Sequence, residues 1–272
     1  MLLGADGEVA RLVVLTGAGI SAESGLPTFR GEDGLWEGHR IEDVATPQAW
    51  TRNPELVWRF YQLRRRALLR AEPNPAHVAL ARLETSISRM TVGDAPESSH
   101  LERWDEHWES FSSDRFVLVT QNVDDLHSAA GSVRLIPMHG QLRFLRCEQS
   151  GIIIEMMDEQ HLDPDCFIRS PEMDDGLMRP HIVWFGEVPL GMLAIHEALS
   201  RADVLLVVGT SGHVHPAAGF VHEAAAHGAR TILVNLEPPQ NVDAFDEIHL
   251  GPAAEVLPPL IDGWLAELEQ GS

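Results

Sequence analysis

Residues 11 to 31 read Arg-Leu-Val-Val-Leu-Thr-Gly-Ala-Gly-Ile-Ser-Ala-Glu-Ser-Gly-Leu-Pro-Thr-Phe-Arg-Gly, and this stretch decides the fold of the chain. The run Leu12 to Leu15 is short, branched and apolar, as expected of a buried parallel strand. Gly17, Gly19 and Ala22 fit the G-x-G-x-x-G/A turn that brings backbone amides against a pyrophosphate. Such a turn is also common in α/β proteins that bind no nucleotide, so the turn alone leaves the ligand open.

The residues after this turn depart from a Rossmann unit that transfers hydride. Such a unit enters a second strand and presents an acidic ribose ligand about 20 residues further on. Residues 25 to 36 instead read Gly-Leu-Pro-Thr-Phe-Arg-Gly-Glu-Asp-Gly-Leu-Trp, which predicts a long loop with Phe29 and Arg30 near its centre. We expect this loop to close over a bound cofactor.

Composition narrows the class of protein. The chain has 272 residues, enough for one large α/β domain and a smaller module. Its 20 basic residues, all of them arginine, oppose 41 acidic ones, and the formal net charge of −21 argues against a nucleic-acid-binding surface. The absence of lysine has two explanations: a GC-rich or salt-adapted genome, or an enzyme that acts on lysine or works among reactive acyl donors.

Cysteine usage and the N-terminal residues favour a cytoplasmic protein. Cys147 and Cys166 are too few for a disulfide-dense secreted scaffold. Residues 1 to 10 have no basic region and no long apolar core, and no window approaches the roughly 18 apolar residues of a membrane span. We therefore expect neither a membrane nor a nucleic-acid partner. The sequence leaves the oligomeric state open, and it is compatible with a monomer.

Strand-like apolar runs recur along the chain, and most are followed by turn residues and a helical pattern. They lie at residues 12–15, 116–119, 133–136, 204–208 and 231–234. This alternation predicts an α/β fold with a doubly wound parallel sheet of the Rossmann type.

Two insertions interrupt the predicted sheet. Residues 39–71 look helical, whereas residues 144–178 are irregular, acidic and rich in methionine. We expect both to form a small second domain, beside a large domain made of residues 1–38, 72–143 and 179–272. Residues 92–114 read as a polar excursion with one short amphipathic helix and no assigned function.

Polar side chains follow the later predicted strands. Gln121, Asn122 and Asp124 come after the run at 116–119, at the sheet edge where ligand crevices form, although helix capping alone would also explain them. His139 comes after the run at 133–136 and is a candidate general base. The small hydroxyl and amide groups of Gly209-Thr210-Ser211 and Asn235-Leu236-Glu237 suit ribose and adenine contacts.

Ordered motifs over nearly the whole chain resemble the sirtuins, the NAD-dependent protein deacylases. These motifs are Gly17-Ala18-Gly19-Ile20-Ser21, Phe29-Arg30-Gly31, Thr120-Gln121-Asn122-Val123-Asp124, Met138-His139-Gly140, Arg179-Pro180-His181-Ile182-Val183-Trp184-Phe185-Gly186-Glu187, Gly209-Thr210-Ser211 and Asn235-Leu236-Glu237. The resemblance implies a large Rossmann-like domain and a small helical and zinc-ribbon-like module, with substrate entering the cleft between them.

The resemblance implies NAD as cofactor. Gly17, Ala18, Gly19 and the loop through Trp36 would hold the pyrophosphate and cover the nicotinamide ribose, with Arg30 near the phosphates and Phe29 shielding the reaction centre. The ribose and the carboxamide would lie against Gln121, Asn122 and Asp124, and the adenosine half against Thr210, Ser211, Asn235 and Glu237. The NAD-binding set also takes in Ser21, Val123, Gly209 and Leu236.

The same resemblance implies acylated-lysine proteins as substrates, with His139 and Asn122 as the catalytic residues. The acyl-lysine would pass Val183, Trp184 and Phe185, and the peptide main chain would add as a strand beside Phe185, Gly186 and Glu187. Attack by the acyl oxygen on the ribose, followed by proton removal by His139, would release nicotinamide and an O-acyl-ADP-ribose. An NAD hydrolase or ADP-ribosyl transferase, or a non-catalytic NAD sensor, is the alternative.

Two side chains indicate an acyl preference. Tyr61 and Arg64 are three residues apart, hence on one helix face, and they look like the Tyr-x-x-Arg signature of class III sirtuins, which remove succinyl and malonyl groups. Arginine can grip a carboxylate through two nitrogens while a phenol donates beside it. The alternative is that Tyr61 packs and Arg64 belongs to a solvated arginine cluster at 64–66.

The zinc-binding motif of typical sirtuins is incomplete in this chain. Each Cys-x-x-Cys pair keeps one member, Cys147 and Cys166, whereas a structural zinc takes four ligands. His161, Asp163 or Asp165 could supplement the two thiolates, or apolar packing could hold the module instead.

Overall fold

The computed structural model describes residues 2–3, 8–28, 36, 38–90, 108, 111, 114–156, 163, 165–172, 176–239 and 241–271. Its strands are β1 (Leu12–Thr16), β2 (Phe116–Thr120), β3 (Leu135–Pro137), β4 (Gly140–Cys147), β5 (Ile153–Glu155), β6 (Met178–Ile182), β7 (Val204–Val208), β8 (Arg230–Asn235) and β9 (Glu247–Leu250). Its α-helices are α1 (Ile41–Val44), α2 (Pro47–Arg52), α3 (Pro54–Leu68), α4 (Pro75–Met90), α5 (Leu126–Ala129), α6 (Met192–Ser200), α7 (Phe220–Ala226) and α8 (Ala253–Gly271).

A parallel sheet forms the larger part of the fold. Among the described residues it has six strands in the order β3-β2-β1-β7-β8-β9, all paired in parallel. The strand order reverses between β1 and β7, the position at which doubly wound sheets bind ligands. The predicted Rossmann-like sheet is confirmed, and β9, whose Glu247–Leu250 segment is only partly buried, is an edge strand that the apolar runs did not predict.

The sheet is buried on both faces because successive residues of each strand point to opposite sides. On β1, Leu12 and Val14 belong to the apolar cluster that includes α4 and α8, whereas Val13 and Leu15 belong to the cluster that includes α6 and α7. The near-continuous apolar strands noted in the sequence follow from this double burial.

A third apolar cluster joins helices α1 to α3 to an antiparallel sheet of order β5-β4-β6. Thr46 and Asn53 begin α2 and α3 by accepting the amide hydrogens of Ala49 at 3.0 Å and Leu56 at 3.1 Å. The helical expectation for residues 39–71 agrees with this arrangement, but part of the segment 144–178 forms strands where the sequence suggested only irregular structure. The antiparallel sheet extends beyond 144–178 at both ends, and the domain boundaries stay a prediction.

Two expected features fall largely outside the described residues. From the excursion at 92–114 only Trp108, Phe111 and Asp114 are described, and the two aromatic rings are buried against the α6 and α7 face of the sheet. Most of the predicted cover loop, including Phe29 and Arg30, lies outside as well. None of the helices in the described ranges is both long and apolar enough to cross a membrane.

The glycine turns that follow β1 and β7 contact each other through their main chains. The Gly17 amide donates to the Val208 carbonyl at 2.9 Å, and the Gly19 amide donates to the Gly209 carbonyl at 2.8 Å. A Cβ atom on Gly19 would lie 2.7 Å from the Cα of Gly209, which itself has a φ of +62°. Only glycine fits this contact without displacing one of the turns.

Replacing Gly19 by alanine should therefore destabilise the fold. We expect Gly19→Ala to lower the free energy of unfolding by about 1–3 kcal/mol, the usual effect of overpacking. Gly263→Ala is the control, because Gly263 is exposed on α8 and a Cβ there meets nothing within 4 Å; it should be neutral or stabilising. Urea unfolding followed by circular dichroism measures both, and equal stabilities for the two variants would contradict the contact.

Candidate active site

A cleft of about 860 Å³ opens at the carboxyl ends of the parallel strands, next to α3 and the segment after β6. All the predicted site residues within the described part of the chain line it, except the two cysteines: Gly17, Ala18, Gly19, Ser21, Trp36, Tyr61, Arg64, Gln121, Asn122, Val123, Asp124, His139, Val183, Trp184, Phe185, Gly186, Glu187, Gly209, Thr210, Ser211, Asn235, Leu236 and Glu237. One cavity thus brings together side chains from loops far apart in the sequence.

A hydrogen-bonded cluster joins the glycine turn to the loop after β2. Ser21 donates its hydroxyl hydrogen to Asp124 Oδ2 at 2.9 Å and accepts the Asn122 side-chain amide at 3.1 Å. The other Asp124 oxygen accepts the Leu126 amide at 3.1 Å, at the start of α5. The N-cap position of α5 is Asp125, so helix capping alone does not explain Asp124, which also faces the cleft.

Burial makes ionisation of the Asp124 carboxyl less favourable. Desolvation raises the pKa of its carboxyl to about 6, although the Leu126 amide and the Ser21 hydroxyl favour the ionised form. The carboxylate is thus held in the cleft floor at a free-energy cost, a pattern typical of functional sites.

A pair of buried histidines lies behind this cluster, and sequence reasoning missed it. The rings of His77, from α4, and His127, from α5, are 4.8 Å apart. His127 Nε2 lies 3.0 Å from Thr16 Oγ1, which also donates to Thr120 at 2.8 Å. Burial lowers the pKa of His77 to about 4 and that of His127 well below its ordinary value, so both rings are neutral near pH 7.

His139 occupies the short connection between β3 and β4. Its Nδ1 lies 3.0 Å from the main-chain oxygen of Gln121. Because a carbonyl only accepts, Nδ1 carries the hydrogen in the neutral ring, and Nε2 keeps a lone pair. Burial lowers the pKa of His139, against the opposing effect of the Gln121 carbonyl, so the imidazole is a neutral proton acceptor at physiological pH.

The far end of the cleft is lined by amides and hydroxyls. Gln121 donates its side-chain amide to Thr210 Oγ1 at 3.1 Å, and Asn235 donates to the main-chain oxygens of Thr210 at 3.3 Å and Glu237 at 2.9 Å. These contacts fix neutral polar groups along the sheet edge, where they can meet the hydroxyls of a ribose.

An ion pair shapes the segment after β6. Arg179 donates to both carboxylate oxygens of Glu187, at 2.7 and 2.9 Å, and Glu187 also accepts the Trp184 amide at 2.8 Å. Burial opposes ionisation of Glu187, but the Arg179 hydrogen bonds and the Trp184 amide lower its pKa overall. Main-chain bonds from Val183 to His139 and from Phe185 to Ala45, at 2.9 and 3.0 Å, tie this segment to both sides of the cleft.

Tyr61 and Arg64 reach the cleft from α3, as their spacing predicted. The Arg64 guanidinium lies 3.2 Å from the Phe60 ring centroid and 4.4 Å from that of Trp36, and it donates to the Phe60 carbonyl at 2.9 Å. Arg64 is only 7% exposed, so it does not belong to a solvated arginine cluster. The Tyr61 hydroxyl accepts the indole hydrogen of Trp184 at 3.0 Å.

Comparison with known proteins identifies the family. The Sir2 family model matches residues 17–95 and 89–216. The NAD-dependent protein deacylase of Salmonella typhimurium is 49% identical over 263 residues, covering 96% of this chain and 86% of the relative. That of Escherichia coli K12 is 48% identical over 267 residues, covering 97% and 86%. A crystal structure of a Sir2 homologue in complex with NAD matches with a TM-score of 0.78 and 36% identity, over 94% of this chain and 90% of that one.

The chain belongs to the Sir2 family. The resemblance seen in the motifs is thereby confirmed, and so is the Rossmann-like fold it implied.

The zinc ribbon of the sirtuins is the part that fits this chain least. Across the described residues no group of three or more histidine, cysteine or acidic side chains is placed to hold a metal, and His161 lies outside them. Cys147 is buried, with its sulfur accepting hydrogen bonds from Ser150 and Ser170, whereas Cys166 is exposed. A four-ligand site built on Cys147 and Cys166 has no support among these donors.

Aromatic packing fastens the same segment to the helices. The Phe167 ring stacks on Trp58 with centroids 5.4 Å apart and lies 6.3 Å from Trp50. The Trp50 indole donates to Glu148 at 3.0 Å, and Arg59 pairs with Asp165. These contacts link α2 and α3 to the described part of the segment 144–178.

The buried histidines make stability depend on pH. Because the folded-state pKa of His77 is about 4, below the ordinary histidine value of about 6.5, the unfolded chain takes up this proton first as pH falls, and stability is lost. We expect His77→Gln to reduce the fall in unfolding free energy between pH 7 and 4.5 by about 2 kcal/mol.

Urea unfolding across this pH range measures the effect, and His222→Gln, at an exposed position of α7, is the control. Parallel pH profiles for the His77 variant and the unsubstituted protein would contradict a neutral buried His77.

Proposed function

We propose that this chain is an NAD-dependent protein-lysine deacylase that removes acetyl groups and also succinyl and malonyl groups, and works in the cytoplasm. The observation that carries the proposal is a neutral His139, oriented by the Gln121 carbonyl, in the same cleft as the Gly17–Ser21 turn and the Asn122 and Asp124 side chains. One water is consumed when the lysine nitrogen leaves the acyl carbon, and the products are the deacylated lysine, nicotinamide and an O-acyl-ADP-ribose.

The cleft has the size and chemistry for NAD. Its volume of about 860 Å³ is within the range of cofactor pockets, and neutral amides and hydroxyls are spread along its floor. Gln121, Asn122 and Asp124 hold the ribose and the carboxamide, and Thr210, Ser211, Asn235 and Glu237 face the adenosine half. The Gly17 and Gly19 amides bond to the end of β7 and the turn after it, so these glycines serve by letting the two turns that line the pyrophosphate end of the cleft approach each other.

The reaction needs positioning and one base. NAD supplies an electrophilic ribose carbon, because its cationic nicotinamide is a good leaving group for an attacking acyl oxygen. His139 Nε2 accepts a proton from a ribose hydroxyl, and Asn122 holds that ribose in reach. The proposed catalytic pair is His139 and Asn122, and neither acts as a nucleophile. The protein therefore contributes no nucleophile of its own.

Acylated-lysine proteins enter beside the segment after β6. Val183, Trp184 and Phe185 line the cleft, and Phe185 is 44% exposed. The peptide main chain lies beside residues 185–187, a mode that reads main chain more than side-chain sequence. The Phe185 and Glu187 amides already donate to the Ala45 and Trp184 carbonyls, so the pairing uses the carbonyl oxygens and the Gly186 amide of this turn. Protein substrates of varied sequence are therefore expected.

The acyl preference rests on Tyr61 and Arg64. A buried guanidinium fixed against two aromatic rings, with a phenol beside it at the cleft, presents a cationic and a neutral donor to the end of an acyl chain. Succinyl and malonyl groups end in a carboxylate that both donors can bind, whereas an acetyl group ends in a methyl.

Replacing His139, the proposed base, should abolish turnover but leave NAD binding intact. We expect His139→Ala to lower deacylation of an acetyl-lysine peptide by at least about 100-fold, the contribution of a general base, with NAD affinity retained. Mass spectrometry of peptide and nicotinamide products gives the rate, and calorimetric titration gives the affinity. His196→Ala is the control at an exposed position. Turnover near that of the unsubstituted enzyme, or nicotinamide release that needs no acyl peptide, would contradict the mechanism.

Loss of the guanidinium should change acyl preference alone. We expect Arg64→Met to lower kcat/KM for a succinyl-lysine peptide by about 10- to 100-fold, the effect of removing a charged hydrogen bond, with little change for the acetyl peptide. Arg66→Met, exposed on the same helix, should leave both values unchanged. An unaltered succinyl-to-acetyl ratio in Arg64→Met would overturn the carboxylate clamp.

A further inference from the structure

The direction of one hydrogen bond decides what the Tyr61 hydroxyl can do. An indole N–H can only donate, so in the 3.0 Å contact between Trp184 Nε1 and Tyr61 the phenol oxygen must be the acceptor. The phenol hydrogen then points away from Trp184. Within the described chain Tyr61 has this one hydrogen bond, and its side chain lines the cleft that Arg64 also lines.

The phenol also stays a donor because it stays neutral. Tyr61 is fully buried, and desolvation raises its pKa far above the ordinary value, against the smaller effects of Trp184 and Arg64. A carboxylate reaching this end of the cleft therefore meets an O–H donor and a guanidinium.

The Trp184 ring is itself held from two sides. The Arg179 guanidinium lies 3.4 Å from the ring centroid, and the Trp50 ring lies 5.9 Å away. Glu187 binds both Arg179 and the main-chain amide of Trp184, so the ring and the backbone of this residue depend on the same ion pair. Trp184 is 2% exposed and has little freedom to turn its N–H elsewhere.

We infer that Trp184 is a positioning residue for acyl selectivity. Its indole N–H donates to the Tyr61 oxygen, and this bond directs the phenol hydrogen toward the terminal carboxylate of a succinyl or malonyl chain held by Arg64. The inference rests on the proposed acyl preference and adds a residue that touches the carboxylate only through Tyr61. The acetyl group, which has no terminal carboxylate, gains nothing from this arrangement.

Trp184→Phe tests the inference, since it removes the N–H and keeps an aromatic ring. The expected result is a fall of about 3- to 10-fold in kcat/KM for a succinyl-lysine peptide, the effect of one neutral hydrogen bond. The fall should lie in KM, because ground-state binding of the acyl chain is weakened, and the succinyl-to-acetyl ratio of kcat/KM should fall by the same factor beyond any loss that the two peptides share.

A double-mutant cycle with Tyr61→Phe separates positioning from general damage. If Trp184 acts through the Tyr61 hydroxyl, Trp184→Phe should cost no further succinyl selectivity once that hydroxyl is gone. Independent, additive losses would overturn the inference. A merely structural role would lower the acetyl and succinyl rates together in both backgrounds, which would overturn it as well.

Trp264→Phe is the matched control. Trp264 is also a buried indole, but it lies in the apolar cluster that includes α4 and α8 and does not line the cleft. It should leave the succinyl-to-acetyl ratio unchanged, and a ratio shifted as far as in Trp184→Phe would contradict a specific role for Trp184. If Trp184→Phe does not fold, benzothienylalanine at position 184 replaces the N–H by sulfur within the same shape and gives the same comparison.

The outcomes also distinguish this inference from the proposed function. Selectivity lost in Tyr61→Phe and Arg64→Met but kept in Trp184→Phe would overturn the role of Trp184 alone. Selectivity kept in all three, or no succinyl removal by the unsubstituted enzyme, would overturn the acyl preference and this inference with it.

Discussion

The main-chain contact between the turns after β1 and β7 is the constraint on which the site depends. Gly19 and Gly209 approach so closely that neither tolerates a Cβ without displacement. The contact fixes the residue after Gly209, and Thr210 in turn receives hydrogen bonds from Gln121 and Asn235. The loops that follow β1, β2, β7 and β8 are thereby held together in the floor of the cleft. Few long flexible side chains take part in this arrangement.

The parallel sheet could be predicted because its strands are buried on both faces. Runs such as Leu12 to Leu15 and Val204 to Val208 carry an uninterrupted apolar signal that needs no tertiary information. By contrast, β4 and β6 were missed although they are largely buried, because arginine, glutamine, proline and histidine interrupt their apolar residues. The short strand β5, Ile153–Glu155, was missed because it is partly exposed and leaves only a weak alternating pattern. The edge strand β9 was missed for the same reason.

Site residues that directly follow a predicted strand, such as Asn122 and His139, could be predicted from the sequence. The site was not predictable where a partner comes from another layer of the fold. His77 reaches the Ser21 cluster from α4, and Tyr61 meets Trp184 across a separation of 123 residues. Contacts between residues so far apart in the chain leave no periodic pattern in the sequence. Only the packed structure shows that His77 lies beside Ser21 and that Tyr61 lies beside Trp184.

His139 belongs to the connection between two sheets rather than to either of them. The parallel sheet ends at Pro137 of β3, and the antiparallel sheet begins at Gly140 of β4, where a positive φ of 80° turns the chain. The main-chain oxygens of Met138 and His139 accept the Leu190 and Val183 amides, so the short connection is bonded along its whole length. The proton acceptor is thus held relative to Gln121 by the main chain of its own connection, with no long side chain needed to place it.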